Sequence, residues 1–354
     1  MRVLLLGGTG VLGRAIAIEA LKRGHELVTL ADHSGIFPPP AGVVRHLTVD
    51  REDDGAMRAA FAGWAENVTW DLVVDAICYS VKQAAILNSL ITGRTKRLVV
   101  ITSSIVYSAH QLQPIEENGR LEAPEAFGEY GAAKLAIEEF WLGRYPESDI
   151  APTVVRLPHV LGCGAELGAV PLHNRDAFLV SRLRQGKSLL LVDGGRQLLQ
   201  VVFSEDVASA VFDVASAPRT LGELYNCCNP DIVTAHAYYS EIARLLGTNL
   251  KVVGIEYEAI AKSSWGWLPT AHSRILSVNK MREHAGVSCR TPLAVALERT
   301  LRPLLQRECA LDPLQNQLEN IERLAATGRE DLAAALSHAS HLRSRTAVDR
   351  RMNG

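Results

Sequence analysis

The chain has 354 residues, of which 47% are apolar and 21% charged, a balance that fits a soluble globular protein and excludes disordered and fibrous classes. Its formal net charge of −2 leaves no electrostatic footprint for nucleic acid, which a binder shows as a strongly basic domain or stripe. No run approaches the ~18 apolar residues of a membrane span, and the N-terminus lacks the ordered regions of a signal peptide, so a cytoplasmic protein without a membrane segment is expected.

Residues 2–6, RVLLL, form a short apolar run that predicts a buried strand. GGTGVLG follows it, and AIAIEALKRG then places apolar residues at helical spacing before a glycine stop. HELVTLAD gives a second strand, VRHLTVD a third, DLVVDAI a fourth and RLVVITSSIVY a fifth, with helical stretches between several of them. Such alternation implies an α/β fold whose parallel sheet is covered on both faces, that is, doubly wound. IFPPP at 36–40 reads as a loop, because consecutive prolines cannot continue a strand ladder. PTVVRLPHV supplies a further strand near residues 152–160.

Beyond about residue 163 the pattern is mixed. AFLVSRLRQGK looks helical, short strands follow in LLLVDGGRQLLQVVF, ELYNCCN is another strand and AHAYYSEIARLLG another helix. Residues 1–163 are therefore expected to form mainly a dinucleotide-binding domain, and 164–311 a smaller substrate-side lobe interleaved with the sheet. The stretch 312–354 is amphipathic and reads as a helical extension that packs on the body or on a second subunit. Six cysteines, Cys78, Cys163, Cys227, Cys228, Cys289 and Cys309, show no C-x-x-C pair and read as reduced cytosolic thiols, with no metal expected.

Gly7, Gly10 and Gly13 make G-x-x-G-x-x-G directly after the first strand and at the opening of the first helix. Backbone must approach a pyrophosphate closely there, and the N–H groups and positive dipole end of the helix must point at it. The context is the one a dinucleotide site requires, so Gly7, Thr9, Gly10, Val11, Leu12 and Gly13 are candidate cofactor contacts. At the end of the second strand, Asp32 favours NAD, because a carboxylate accepts from the ribose 2′-OH and repels a 2′-phosphate. NADP is the alternative, with His33 as a group able to meet a phosphate. Asp50, after the third strand, is placed to meet the adenine amino group, with a helix N-cap as its competing role. Arg51 beside it is a further cofactor candidate.

In EYGAAKLAIEEF, residues 129–140, Tyr130 and Lys134 stand four apart, so on a helix they share a face. Tyrosine is a poor base at its ordinary pKa near 10, but an adjacent ammonium favours the phenolate. A phenolate can take a hydroxyl proton while hydride leaves to a nicotinamide. The small hydroxyl donor such a site needs is supplied by Ser103, near the end of the fifth strand, and Ser104 competes for that role.

GGTGVLG, SSIVY, YGAAK and RLPHVLG, in that order, resemble the short-chain dehydrogenase/reductase superfamily, in its extended NAD-dependent epimerase/dehydratase branch, over roughly residues 1–300. The resemblance implies a Rossmann-type fold, with Ser103 as the catalytic hydroxyl, Tyr130 as the base and Lys134 gripping the nicotinamide ribose. It also implies a homodimer through the helices beside the Tyr130 helix. Departures bear on substrate. Ser104 and Ile105 stand where the 4,6-dehydratases carry an acidic pair, which disfavours dehydration. His159 replaces a usual Asn three residues after Arg156 and is expected to line the substrate pocket, or to be a hydrogen-bonded, half-buried histidine. Leu199 occupies the position, seven before Asp206, where nucleotide-sugar enzymes place a phosphate-binding Arg, and Arg196 lies nearby out of register. VDREDD and VVDAICYSVKQ resemble an atypical subgroup that includes chloroplast stem-loop binding proteins, some of which bind RNA. The expectation is an epimerase or oxidoreductase acting on a sugar-like, possibly nucleotide-linked, substrate. A reductase or dehydrogenase of a small carbonyl or polyol is the first alternative, and a non-catalytic RNA-binding protein the second.

Overall fold

A computed structural model describes residues 1–32, 35–63, 68–122, 128–261, 266, 269–306, 313–327, 332 and 334–336. His33 and Cys309 lie outside the described residues, as does most of the stretch from 328 onward. The chain opens with β1 (Arg2–Leu6), α1 (Val11–Lys22), β2 (Glu26–Ala31), β3 (Arg45–Thr48), α2 (Asp54–Phe61), β4 (Leu72–Asp75) and α3 (Val81–Ile91). It continues through β5 (Arg97–Ser103), α4 (Gly128–Leu142), β6 (Ala151–Leu157), β7 (His159–Leu161), α5 (Leu179–Arg184), β8 (Leu189–Val192) and β9 (Leu198–Leu199). The remainder comprises β10 (Val201–Phe203), α6 (Ser204–Ser216), β11 (Glu223–Asn226), β12 (Val233–Thr234), α7 (Ala235–Leu245), β13 (Val252–Ile255) and α8 (Tyr257–Ile260). Three helices follow, α9 (Asn279–Ala285), α10 (Leu293–Leu304) and α11 (Pro313–Thr327).

Two compact units divide the chain. Unit 1 takes Met1–Val160, Val201–Pro230 and Leu276–Arg290, and unit 2 takes Leu161–Gln200, Asp231–Ile275 and Thr291–Gly354. Unit 1 holds a seven-stranded sheet in the order β11-β6-β5-β4-β1-β2-β3, parallel throughout. Because side chains alternate across a strand, Val3 and Leu5 face one side with Ile16 and Ala17 of α1 and Val207 and Val211 of α6. Leu4 and Leu6 face the other, with Met57 of α2, Leu87 of α3 and Ile137 and Trp141 of α4. Burial on both faces is why these strands are continuous apolar runs. The result is a doubly wound, Rossmann-type sheet whose order reverses between β1 and β4. In such sheets ligands bind outside the carboxyl ends of the strands at the reversal.

The fifth strand is shorter than its apolar run suggests. It stops at Ser103, whose Oγ accepts a hydrogen bond from the Ile105 N–H at 3.2 Å, and residues 104–106 turn as a short 3-10 helix. AFLVSRLRQGK is helical only over Leu179–Arg184, ending before Gly186 at φ +66°.

Unit 2 is built on short pairs: β8 beside β13 in parallel and β9 against β12 antiparallel. Leu190, Val192, Ile255 and Ile260 pack with Leu318 and Ile321 of α11, and Arg182 pairs with Glu322. This part of the C-terminal extension therefore packs on its own chain. Among the described residues no helix is long and apolar enough to cross a membrane.

Candidate active site

The turn after β1 is closed by hydrogen bonds from the Gly7 N–H to the Leu30 carbonyl (2.6 Å) and from the Gly10 N–H to the Gly7 carbonyl (3.3 Å). Gly7 has φ +100°, a conformation that favours glycine. A Cβ on Gly13 would lie 1.8 Å from the Gly7 oxygen, so this position must be bare for α1 to start so close to the turn. Gly10 differs: a Cβ there would meet only the Gly7 oxygen, at 3.9 Å. Gly10 is also the N-cap of α1, no side chain caps the helix, and its first turn holds no acidic residue. Open space at Gly10 beside uncapped helix N–H groups fits the pyrophosphate of a dinucleotide. Thr9 is buried, while Val11 and Leu12 are half-buried at the start of the helix.

Asp32 is exposed immediately after β2. Asp50 is exposed too, and its Oδ1 accepts from the Glu52 N–H at 2.8 Å. It does not cap a helix: Asp53 caps α2, accepting from the Ala56 N–H at 2.9 Å. Arg51 points inward. It is 4% exposed and forms a fork with Asp75, the last residue of β4, at 2.7 and 2.8 Å. Burial alone would lower the guanidinium's proton affinity, but the charge and hydrogen bonds of Asp75 outweigh it and hold the group above the ordinary arginine value.

Ser103 ends β5, and the 3-10 turn that carries buried Ser104 packs on α4. The buried stripe of α4 runs Gly131, Lys134, Ile137, Glu138 and Trp141, which is helical spacing with two charged residues where apolar ones are expected. Glu138 accepts from the Arg156 Nε (3.0 Å) on β6 and from the Thr102 hydroxyl (2.7 Å) on β5. Lys134 is 3% exposed, donates to the Cys78 carbonyl at 2.6 Å, and lies 5.5 Å from the ring centre of Tyr130. Burial draws Lys134 below the ordinary lysine value, and the Asp75 carboxylate works against that fall. Tyr130 is 39% exposed. The structure thus brings the Tyr130 ring and the Lys134 ammonium together on α4, beside the turn that follows Ser103.

His159 is half-buried in β7. Arg196 belongs to unit 2, where it is exposed after a turn at Asp193–Gly195. Leu199 is buried in β9, and Asp206 lies in the first turn of α6.

Residues 3–228 match the NAD dependent epimerase/dehydratase family. The chain belongs to that family. Two curated relatives of this epimerase/dehydratase chain are the 2'-dehydrokanamycin reductase of Streptomyces kanamyceticus, 25% identical over 74% of this chain and 71% of the relative, and the UDP-N-acetyl-alpha-D-glucosaminuronate decarboxylase of Bacillus cytotoxicus, 24% identical over 81% and 94%. Among solved structures, the UDP-glucose 4-epimerase of Thermus thermophilus in complex with NAD aligns with a TM-score of 0.69 at 18% identity, covering 87% of this chain and 100% of that one. The chain is accordingly an NAD-dependent enzyme of the short-chain dehydrogenase/reductase type.

For an epimerase/dehydratase chain, three features of this site escape sequence reasoning. In the sequence Asp75, Cys78 and Tyr79 fall within VVDAICYSVKQ, which carries a resemblance but assigns none of the three a role in the site. Tyr79 is 54% exposed, and its ring centre lies 4.6 Å from the Lys134 Nζ and 6.4 Å from that of Tyr130. One signal is available: a carboxylate that ends an apolar run needs a partner if it is buried, as Asp75 is at the end of LVVD, whereas Asp32 and Asp50 end such runs exposed.

Proposed function

We propose that the protein is an NAD-dependent epimerase or oxidoreductase that acts on a hydroxyl-bearing carbon of a sugar or sugar-like substrate, nucleotide-linked or free, through a keto intermediate. The observation that carries the reading is the Lys134 ammonium held 5.5 Å from the half-exposed Tyr130 ring, on the helix that packs against the turn after Ser103. Bound NAD supplies a hydride acceptor and donor. The N–H groups at the start of α1 bind its pyrophosphate, and exposed Asp32 favours NAD over NADP by accepting from the ribose 2′-OH. Asp50 is proposed to meet the adenine and Lys134 the nicotinamide ribose. Ser103 donates to the substrate oxygen and fixes its direction. Tyr130, as phenolate beside the ammonium, takes the hydroxyl proton and returns it to the same oxygen when the carbonyl is reduced again. Unit 1 carries this machinery, and unit 2 is proposed as the substrate-side lobe, with His159 and Arg196 as substrate contacts. A cytoplasmic homodimer is the proposed setting.

A second reading, a reductase of a small carbonyl that releases its cofactor at each turnover, is favoured by two observations. Leu199 is buried in a strand where nucleotide-sugar enzymes of the branch place a phosphate-binding Arg, and one relative is itself a reductase. Identification of nucleotide released on denaturation separates the two, together with turnover of UDP-glucose, UDP-galactose and free polyols. Retained NAD with nucleotide-sugar turnover supports the epimerase, and cofactor-free protein that oxidises added NADPH supports the reductase. Tyr130→Phe is expected to lower kcat by about 10²–10⁴-fold; a variant equal to wild type in every assay sinks both, and RNA binding that strengthens at low salt would replace them.

A further inference from the structure

We infer that Arg51 and Asp75 form a buried clamp that positions Lys134 against Tyr130, acting through the loop at residues 76–80 and touching neither substrate nor cofactor. The inference rests on the reading of Tyr130 and Lys134 as the catalytic pair.

The contacts run in one direction. Both terminal nitrogens of Arg51 are given to Asp75, at 2.7 and 2.8 Å, with the two side chains 4% and 0% exposed. A planar fork fixes the carboxylate plane in a way that a single hydrogen bond does not. The same Oδ1 accepts from the Ile77 N–H at 3.2 Å, and the next residue, Cys78, gives its carbonyl to the Lys134 Nζ at 2.6 Å. On the far side of that carbonyl the loop is tied again, since the Tyr79 N–H donates to the Gln83 Oε1 of α3 at 2.8 Å. Below it, a Cβ on Gly7 would collide with Ile77 at 2.6 Å, so the loop also lies against the glycine turn. The clamp therefore fixes the segment that fixes the ammonium.

Stability does not explain the pair. Two charges taken out of water repay their desolvation poorly, and apolar residues of like volume hold a core at least as well. Specified geometry does explain it, because β4 is a central strand and the fork makes its last side chain a rigid post. VDREDD and VVDAICYSVKQ then become two halves of one device.

The groups facing Lys134 are Asp75 from β4, Cys78 and Tyr79 from the loop, Arg51 from the segment after β3, and Glu138 and Tyr130 from α4 itself. Asp75 and Arg51 act on the ammonium with opposite sign, and Glu138 is committed to Arg156. Removing both clamp charges together thus tests position with the local charge balance largely kept.

The test needs no substrate. In protein labelled with 13Cζ-tyrosine, the Tyr130 signal is assigned by its loss in Tyr130→Phe and followed against pH. In the double variant Arg51→Met, Asp75→Leu, an ammonium no longer aimed at the phenol should let that signal titrate about one pH unit above its wild-type position. Arg51→Lys, which keeps both charges and removes only the fork, should move it the same way by less, and serves if the double variant does not fold. A signal unmoved in a folded variant overturns the clamp, whether the melting temperature falls, as for a merely structural pair, or the calorimetric affinity for NAD falls, as for a direct cofactor contact. Turnover of UDP-glucose and free polyols by Tyr130→Phe tests the parent reading separately: retained turnover removes the catalytic role and leaves the titration result standing.

Discussion

A Cβ built on Gly13 would lie 1.8 Å from the Gly7 carbonyl oxygen, whereas one on Gly10 would have room. Gly10 has φ −85° and ψ 177°, extended backbone that alanine adopts freely, and the poorer capping of alanine relative to glycine at an N-cap costs up to about 1 kcal/mol. Gly10→Ala should therefore melt within about 2 °C of wild type yet lose at least about tenfold in NAD affinity, roughly 1.4 kcal/mol, read by calorimetry. Gly13→Ala should instead lower the melting temperature by about 4 °C or more, since the helix must move away from the turn. The glycine turn was legible because its requirement is local: every residue involved lies within one βα connection. Tyr130 and Lys134 were legible as neighbours for the same reason, one helical turn apart. Arg51 was not, because its partner Asp75 sits 24 positions away and an ion pair leaves no periodic trace in the chain.

At the scale of elements, α4 does two tasks with one face. Lys134 and Glu138 lie one turn apart on the buried stripe, the first reaching the Cys78 loop and the second tying the helix to β5 and β6 through Thr102 and Arg156. Losing the carboxylate would leave the Arg156 guanidinium buried and unpaired. Glu138→Ala should cost about 3–5 kcal/mol, measured as a fall in the urea midpoint, whereas an exposed pair such as Arg58–Asp54 on α2 should cost less than about 1 kcal/mol when broken. The strands of unit 1 were readable from the sequence because burial on both faces makes them unbroken apolar runs. Their ends were less so: RLVVITSSIVY remains apolar past Ser103, but that hydroxyl accepts from the Ile105 N–H and the chain turns out of the ladder. The short pairs of unit 2, such as Leu198–Leu199 with Val233–Thr234, are too brief for any period to register.

Across the whole molecule, several buried thiols and phenols hold their protons more tightly in the folded state. Burial pushes Cys78 up to about 12 from 9.0 and Tyr107 up to about 12 from 10.0, and it raises Cys228, Tyr225 and Tyr238 as well. For a group whose proton is bound more tightly when folded, the stabilisation is complete below the unfolded value and is lost as pH rises toward the folded one. Urea midpoints should accordingly be flat near pH 8 and fall between about pH 9 and 12, each group contributing up to about 1.4 kcal/mol per pH unit within its own window. Tyr107→Phe should start lower, having lost the hydrogen bond to Asn226 (2.9 Å), but decline less steeply above pH 10. A slope unchanged by this substitution would remove Tyr107 from the account.

The strand order of unit 1 also sets a timetable. β1 through β6 are complete once residue 157 has been made, but β6 receives its outer neighbour only when Glu223–Asn226 emerges. While residues 158–222 are being synthesised, the nascent sheet carries an open flank of unpaired N–H and C=O groups on an apolar strand, the kind of template on which another nascent chain can pair. The length of that exposure is set by the time taken to synthesise residues 158–226, the segment that ends with β11.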